Sequence, residues 1–135
     1  MTKTCFSRFV HAAVLIVAFC VAPSETLPNT REIYRQCGGH VEISSPYRSC
    51  VDDLIGAMIR DIAMSGDRVD HEMVRNRRYC AGVAICYHRI PAQACQDCLD
   101  AADIKLFSGC STAEIARIRL NDCYLRYHNE TISDE

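Results

Sequence analysis

The sequence predicts a single α+β domain stapled by disulfides, and three observations predict it. The readable elements run strand, helix, strand, helix, strand, strand, and the last two are separated only by Asn121-Asp122, a turn pair that, if tight, makes them antiparallel. Once an N-terminal leader is set aside, roughly 110 residues remain, enough for one domain and one core. Eight of the ten cysteines fall in that remainder, an even number at high density, which points to an oxidising compartment.

The leader comes first. Lys3 and Arg8 form a positive n-region, Val10 to Ala22 is apolar except for His11, and Ala22-Pro23-Ser24 suits cleavage before Glu25. Residues 1–24 therefore read as a secretory signal peptide. The apolar run is short for a membrane span of about 20 residues, and no second run follows it. The polar ending Thr131 to Glu135 carries no lipid-anchor signal. The product is expected outside the cell, with no membrane span.

Residues 25–33 are polar, contain Pro28 and read as a loose arm; the domain proper is expected over 34–129, with a tail at 130–135. His40 to Ser45 shows a short Val41/Ile43 alternation and reads as a weak strand, broken by Ser44-Ser-Pro46. Val51, Leu54, Ile55, Met58, Ile59 and Ile62 form one helical stripe, with Ser49 as expected N-cap, Asp52 and Asp53 in the first turn and Gly66 as the stop. Residues 65–78 are charged and without period, so a loop is expected there, carrying the basic cluster Arg75, Arg77 and Arg78. That cluster reads as a solvated loop, or else as a dock for an acidic surface such as pectin. Tyr79 to Tyr87 is strand-like, with Val83 and Ile85 on one face.

Pro91 opens a second helix, at a position where its missing N–H costs nothing. Cys95, Cys98, Leu99, Ala102 and Leu106 share its inner face, and Gly109 ends it. Two strands close the domain. Ala116 to Leu120 alternates Arg117 and Arg119 with Ile118 and Leu120; Cys123 to Tyr127 puts Tyr124 and Arg126 opposite Leu125 and Tyr127.

Composition narrows the function. The chain has 15 basic and 17 acidic side chains, and the leader removes Lys3 and Arg8, leaving 13 against 17. Such a balance excludes a nucleic-acid binder that works by phosphate neutralisation. No nucleophile elbow, His-Glu-x-x-His or Gly-rich phosphate loop occurs, so no catalytic residue is assigned, no cofactor is implied and the chain reads as non-enzymatic. Cys95-x-x-Cys98 lacks the second close pair of a zinc site, and no metal is expected. Asn129-Glu130-Thr131 is a sequon for N-glycosylation.

Spacing alone leaves 105 ways to pair eight cysteines. Cys86, eight residues, Cys95, two residues and Cys98, followed by Cys110 after 11 and Cys123 after 12 more, resembles the plant ginkbilobin-homologous domain, also called the stress-antifungal domain. That domain occurs in cysteine-rich repeat secretory proteins, plasmodesmal proteins and cysteine-rich receptor-like kinase ectodomains. Gly82, the run CQDCLDAA, the ending NDCYLRYHN and a Ser-Pro-Tyr turn before an amphipathic helix extend the likeness. The resemblance implies two helices on a five-stranded antiparallel sheet and three bridges, Cys37–Cys110, Cys86–Cys95 and Cys98–Cys123. Cys50 and Cys80 depart from that pattern and are expected to form a fourth.

The resemblance also implies a role in plant defence or stress, in the apoplast, as an antifungal and lectin-like protein. Its partners would be cell-wall or fungal glycans; the alternative is an extracellular protein–protein interaction module that binds no sugar. The mannose site of antifungal lectin members is an Asn, an Arg and a Glu, which map to Gly38, Arg117 and His128. Only the Arg is kept. An exposed model imidazole titrates near pH 6.5, so in a mildly acidic apoplast His128 is expected to be a donor like Arg117. Two donors without an acceptor suit an anionic group better than neutral mannose.

Overall fold

The computed structural model describes residues 27–130. The leader, with its cleavage site, and residues 131–135 of the tail lie outside the described residues. Seven elements follow in order: β1 (Glu32–Gly38), α1 (Pro46–Ser65), β2 (Arg68–Arg75), β3 (Arg78–Cys86), α2 (Ala92–Cys110), β4 (Ile115–Leu120) and β5 (Cys123–His128). The strands form one antiparallel sheet in the order β1-β4-β5-β3-β2, and both helices pack on the same face of it. The expected α+β fold, two helices on a five-stranded antiparallel sheet, is the fold observed.

Two strands stand where none was expected, and one expected strand is absent. The first strand is β1, overlapping the end of the supposed arm, while residues 40–45 are irregular. β1 lies at the sheet edge with every residue exposed, so no apolar alternation marks it. The arm before it is also tied down: the Asn29 N–H donates to the Asp122 carboxylate at 2.7 Å, and the Asn121 N–H donates to the Arg31 carbonyl. β2 occupies most of the expected loop. It buries only Val69 fully, and its inward His71 and Met73 alternate with Asp70 and Glu72, so charge hides the period. The β2–β3 connection shrinks to Asn76-Arg77, both at positive φ (49° and 62°), with Arg75 opposite Arg78. That is the two-residue hairpin geometry in which Asn is favoured.

Helix α1 starts four residues before its expected start. Ser45, not Ser49, is the N-cap; its hydroxyl accepts from the Arg48 N–H at 3.2 Å, and Pro46 follows in the first turn. Asp52 and Asp53 consequently lie beyond the first turn. Gly66 ends the helix at φ 96°, as expected. For α2, Pro91 sits at the N-cap and not inside the helix, which runs one residue past Gly109 to Cys110. Arg35 closes that end by donating to the Lys105 carbonyl at 2.6 Å, a cation where the helix dipole favours one.

The core lies between the helices and the inner sheet face. Val51, Leu54, Ile55, Met58 and Ile62 of α1 meet Leu99, Ala102 and Leu106 of α2 over Ile118, Leu120, Leu125 and Tyr127. Gly82 lets α1 come close: a Cβ there would stand 2.5 Å from the Arg126 carbonyl oxygen and 3.0 Å from the Met58 methyl. Val83 and Ile85 do share a face, but it is the outer one, away from the helices. All four expected bridges are present: Cys37–Cys110, Cys50–Cys80, Cys86–Cys95 and Cys98–Cys123. The described residues include no free cysteine.

Two charged side chains are buried among the described residues, Asp122 at the β4–β5 turn and Arg48 against the core. Arg48 is 4% exposed. It donates twice to Asp52, at 2.8 and 3.1 Å, and once to the Tyr127 hydroxyl, and its guanidinium faces the Phe107 and Tyr127 rings. Tyr127 donates in turn to the carbonyls of Cys110 and Ala113, and Tyr47 donates to that of Glu114. Two buried phenols thus fix the α2–β4 connection, and burial raises both their pKa values. That connection sets where β4 begins, and with it the neighbourhood of Gly38.

Candidate functional site

Strand register decides which side chains share the outer face. Gly38 of β1 pairs with Ile115 of β4; Ala116 pairs with Tyr127, which brings Ile115 opposite His128 at the next step. His128 pairs with Ala81 on the far side. Gly38 and His128 therefore flank Ile115 in one row. Arg117 stands in the adjoining row, between Gln36 and Arg126. The three positions singled out in the sequence thus meet at one end of the outer face, although 90 residues separate the first from the last.

The electrostatics of that face are unusual. Arg117 and Arg126 stand directly opposite each other on neighbouring strands, an arrangement that is destabilising for like charges. Arg119 follows in the next row, paired with Tyr124. Among the described residues, none of these three arginines has a carboxylate within ion-pair distance. Arg117 Nε donates to Gln36 Oε1 at 2.6 Å, and its guanidinium lies 5.7 Å from the centre of the Tyr34 ring. Arg119 stacks on Tyr87 at 3.5 Å and donates to the Asn121 carbonyl. Aromatic faces hold the cations, and they leave the outer nitrogens without anions. Burial raises the Tyr124 phenol, against the lowering effect of Arg126 and Arg117, so Tyr124 stays neutral. On the same face Asp70, in the row of Arg126, is engaged by Arg68 at 2.7 Å, and Glu72 stands in the row of His128, beyond Ala81.

The arrangement offers arginine and histidine donors beside flat aromatic surface, and the Gln36 carbonyl oxygen next to Arg117 is already taken by its Nε–H. Gly38 contributes backbone only. A Cβ added there would have nothing nearer than the Ile115 carbonyl oxygen at 4.0 Å, so a side chain fits.

The basic cluster does not form one patch. Arg75 is paired with Asp53 of α1 at 2.7 Å, whereas Arg77 and Arg78 border a cleft at the end of the sheet. Asn129, exposed just beyond β5, borders the same cleft. Sequence reasoning missed this cleft, because its lining comes from five separated segments. Among the described residues, no group of three or more His, Cys, Asp or Glu could hold a metal ion.

Comparison with known proteins fits this architecture. Residues 35–130 match the family model for salt stress response/antifungal domains. The chain is 26% identical over 125 residues to antifungal protein ginkbilobin-like protein 1 of Picea sitchensis, covering 89% of this chain and 92% of that one. The same figures hold for ginkbilobin-like protein 2 of Picea glauca. Among solved structures, the tandem DUF26 ectodomains of the Arabidopsis thaliana cysteine-rich receptor-like proteins PDLP5 and PDLP8 superpose with TM-scores of 0.68 and 0.70, at 19% and 16% identity. They cover 75% and 77% of this chain, which spans about half of each (51%). At that identity the likeness is one of fold.

Proposed function

The chain belongs to the salt stress response/antifungal family, and from that premise we propose that it is an extracellular plant defence or stress protein that acts by binding, without catalysis. The ginkbilobin-like relatives are named as antifungal proteins, and four disulfides suit an oxidising exterior. The site is the outer-face end formed by Gly38, Arg117 and His128, widened by Arg126. Its ligand is an anionic sugar unit, a uronate or a phosphorylated sugar, and not neutral mannose.

One observation carries this reading. Arg117 faces Arg126 across neighbouring strands with no carboxylate to neutralise either. An anion bound between them would remove the repulsion and accept from both forks. His128 stands at the same end of the face, in the row next to Arg117 and Arg126, and can add a ring N–H donor.

The test is a glycan array with the full chain, followed by titration of the best binder. Uronate-containing glycans are expected to bind more tightly at pH 5 than at pH 7.5, and mannans weakly or not at all. The double change Gly38→Asn with His128→Glu is expected to bring mannose binding. Strong mannose binding by the unchanged protein sinks the reading. Capture of a cell-surface protein without competition by any sugar would favour the interaction-module alternative.

A further inference from the structure

The free cations of the outer face are ordered along β4. Successive outward positions on one strand are about 7 Å apart, two residues at about 3.4 Å each. Arg117 and Arg126 stand opposite each other in one row. Arg119 stands in the next row towards the β4–β5 turn, between Tyr34 and Tyr124. Its guanidinium lies over the Tyr87 ring, 3.5 Å from the centre. Tyr87 follows Cys86 and so lies beyond Ile85, the residue that shares the row of Tyr124. Arg119 therefore leans away from Arg117, and the two charge positions are separated by the length of a sugar ring or more.

Two further features give this patch a length and a direction. Tyr34 belongs to both rows: it is the register partner of Arg119, and its ring centre lies 5.7 Å from the Arg117 guanidinium. The ring is 40% exposed, at the edge of the sheet. The acids are placed elsewhere. Asp70 stands across the sheet from Arg126, and Glu72 across it from His128. The row of Arg119 holds no acid and ends in Arg68. Asp122, at the turn beyond, is 8% exposed and already accepts from the Asn29 N–H and the Asn121 amide. An anion that continues past Arg117 and Arg126 thus meets Asp70 across the sheet, Glu72 beyond His128, and a third arginine only along β4.

We propose that the ligand is an oligouronate, a stretch of acidic polysaccharide laid along β4 and β5. One carboxylate lies between Arg117 and Arg126, a later one lies on Arg119, and a sugar ring between them packs on Tyr34. This assignment rests on the anionic-sugar reading of the Arg117–Arg126 end and adds length and direction to it. A guanidinium fork takes a carboxylate through two parallel N–H bonds. Tyrosine offers a pyranose an apolar ring face beside a polar tip. A row of phosphates has the charge but no ring for Tyr34. Methyl esterification removes the charge of a uronate, so the face distinguishes free-acid stretches from esterified ones. Once one carboxylate is held, the second contact is intramolecular. Affinity therefore rises with the number of sugar units until both arginine positions are reached, and then levels off.

The test titrates the full chain with galacturonate and its dimer, trimer and hexamer at fixed ionic strength, with the fully methyl-esterified trimer and inorganic tripolyphosphate beside them. Affinity is expected to rise at least tenfold from monomer to trimer and little beyond, with no binding of the esterified trimer. Arg119→Gln is expected to weaken the trimer at least fivefold more than the monomer. Tyr34→Ala, at the exposed edge, is expected to weaken the trimer more than tripolyphosphate. Should Arg119→Gln fail to fold, the length series and Tyr34→Ala decide. Equal affinity for monomer and trimer overturns the oligouronate and leaves the single-uronate site in place, whereas no binding of any uronate overturns both. An esterified trimer that binds as tightly as the free acid overturns the assignment. Tripolyphosphate that binds as tightly as the trimer, with Tyr34→Ala weakening both alike, also overturns it, by reducing the face to a patch of charge.

Discussion

The two faces of the sheet are made from the same strands and obey different rules. On β5, Leu125 and Tyr127 point into the core, while Tyr124, Arg126 and His128 point out. On β4, Ile118 and Leu120 are buried between Arg117 and Arg119. The inner face is satisfied: its apolar side chains are packed, and the described residues leave no buried side-chain polar atom without a partner. The outer face is unsatisfied, with two arginines opposed and none of its central cations paired to an acid. Residues one position apart thus divide stability from recognition, and the division can be tested one residue at a time.

The largest effect is expected where inner-face elements are tied by covalent bonds. Replacing both Cys98 and Cys123 by Ala opens a 25-residue separation, and should lower the unfolding free energy by roughly 3–4 kcal/mol, read from urea midpoints without reductant. A loss below 1 kcal/mol would show that packing alone holds α2 on β5.

Adjacent substitutions on β5 sharpen the contrast. Leu125→Ala should cost about 3 kcal/mol, as for a fully buried leucine, whereas Arg126→Gln should stay within about 0.5 kcal/mol and lean towards stabilisation, by relieving Arg117. If Arg126→Gln costs as much as Leu125→Ala, the outer face is structural and the functional reading of it fails.

Tyr127→Phe should cost about 1–2 kcal/mol, because two buried carbonyls and Arg48 lose a partner. An unchanged thermal midpoint would mean that water takes over the hydroxyl's role.

The smallest effect concerns pH. Burial raises the Asp103 pKa, against the lowering influence of Arg48. The folded state therefore holds this proton more tightly than the unfolded chain does. That contribution is fully present below the ordinary value of 3.8 and is lost as pH rises through the raised one. Asp103→Asn, which keeps the neutral shape, should be slightly more stable than the parent at pH 7 and equal to it below pH 3.8. A gap that widens in acid would reverse the assignment.

The sequence disclosed what the inner face needed. The stripe Val51 to Ile62, the inward set of α2 and the alternation of β4 and β5 are direct images of burial. Edge strands gave no such image: β1 buries nothing fully, and β2 buries only Val69 fully beneath a run of charges. The start of α1 was misread because Ser45 and Ser49 are both competent caps, and it is the Pro46 ring that fits the first turn. The bridges Cys37–Cys110, Cys86–Cys95 and Cys98–Cys123 were legible only through the family's spacing, and Cys50–Cys80 as the pair left over. Arg117 was legible as an outward residue, but its confrontation with Arg126 depends on the β4–β5 register. The cleft at Asn129 gathers residues spread from Val41 to Asn129, and nothing local marks them as neighbours.

The crossing of β3, β5 and α2 has a consequence for making the protein. Cys86 and Cys123 are register partners on neighbouring strands, yet each is bonded to α2, at Cys95 and Cys98 respectively. Four sulfurs converge on one corner, where two hairpin-like rings are within reach of each other. A chain that oxidises before α2 docks is expected to join Cys86 to Cys123 and close Cys95 onto Cys98. That isomer has the same mass as the native one and passes an intact-mass check. Peptide mapping under non-reducing conditions distinguishes them, and a glutathione redox couple or an isomerase during refolding should convert one into the other.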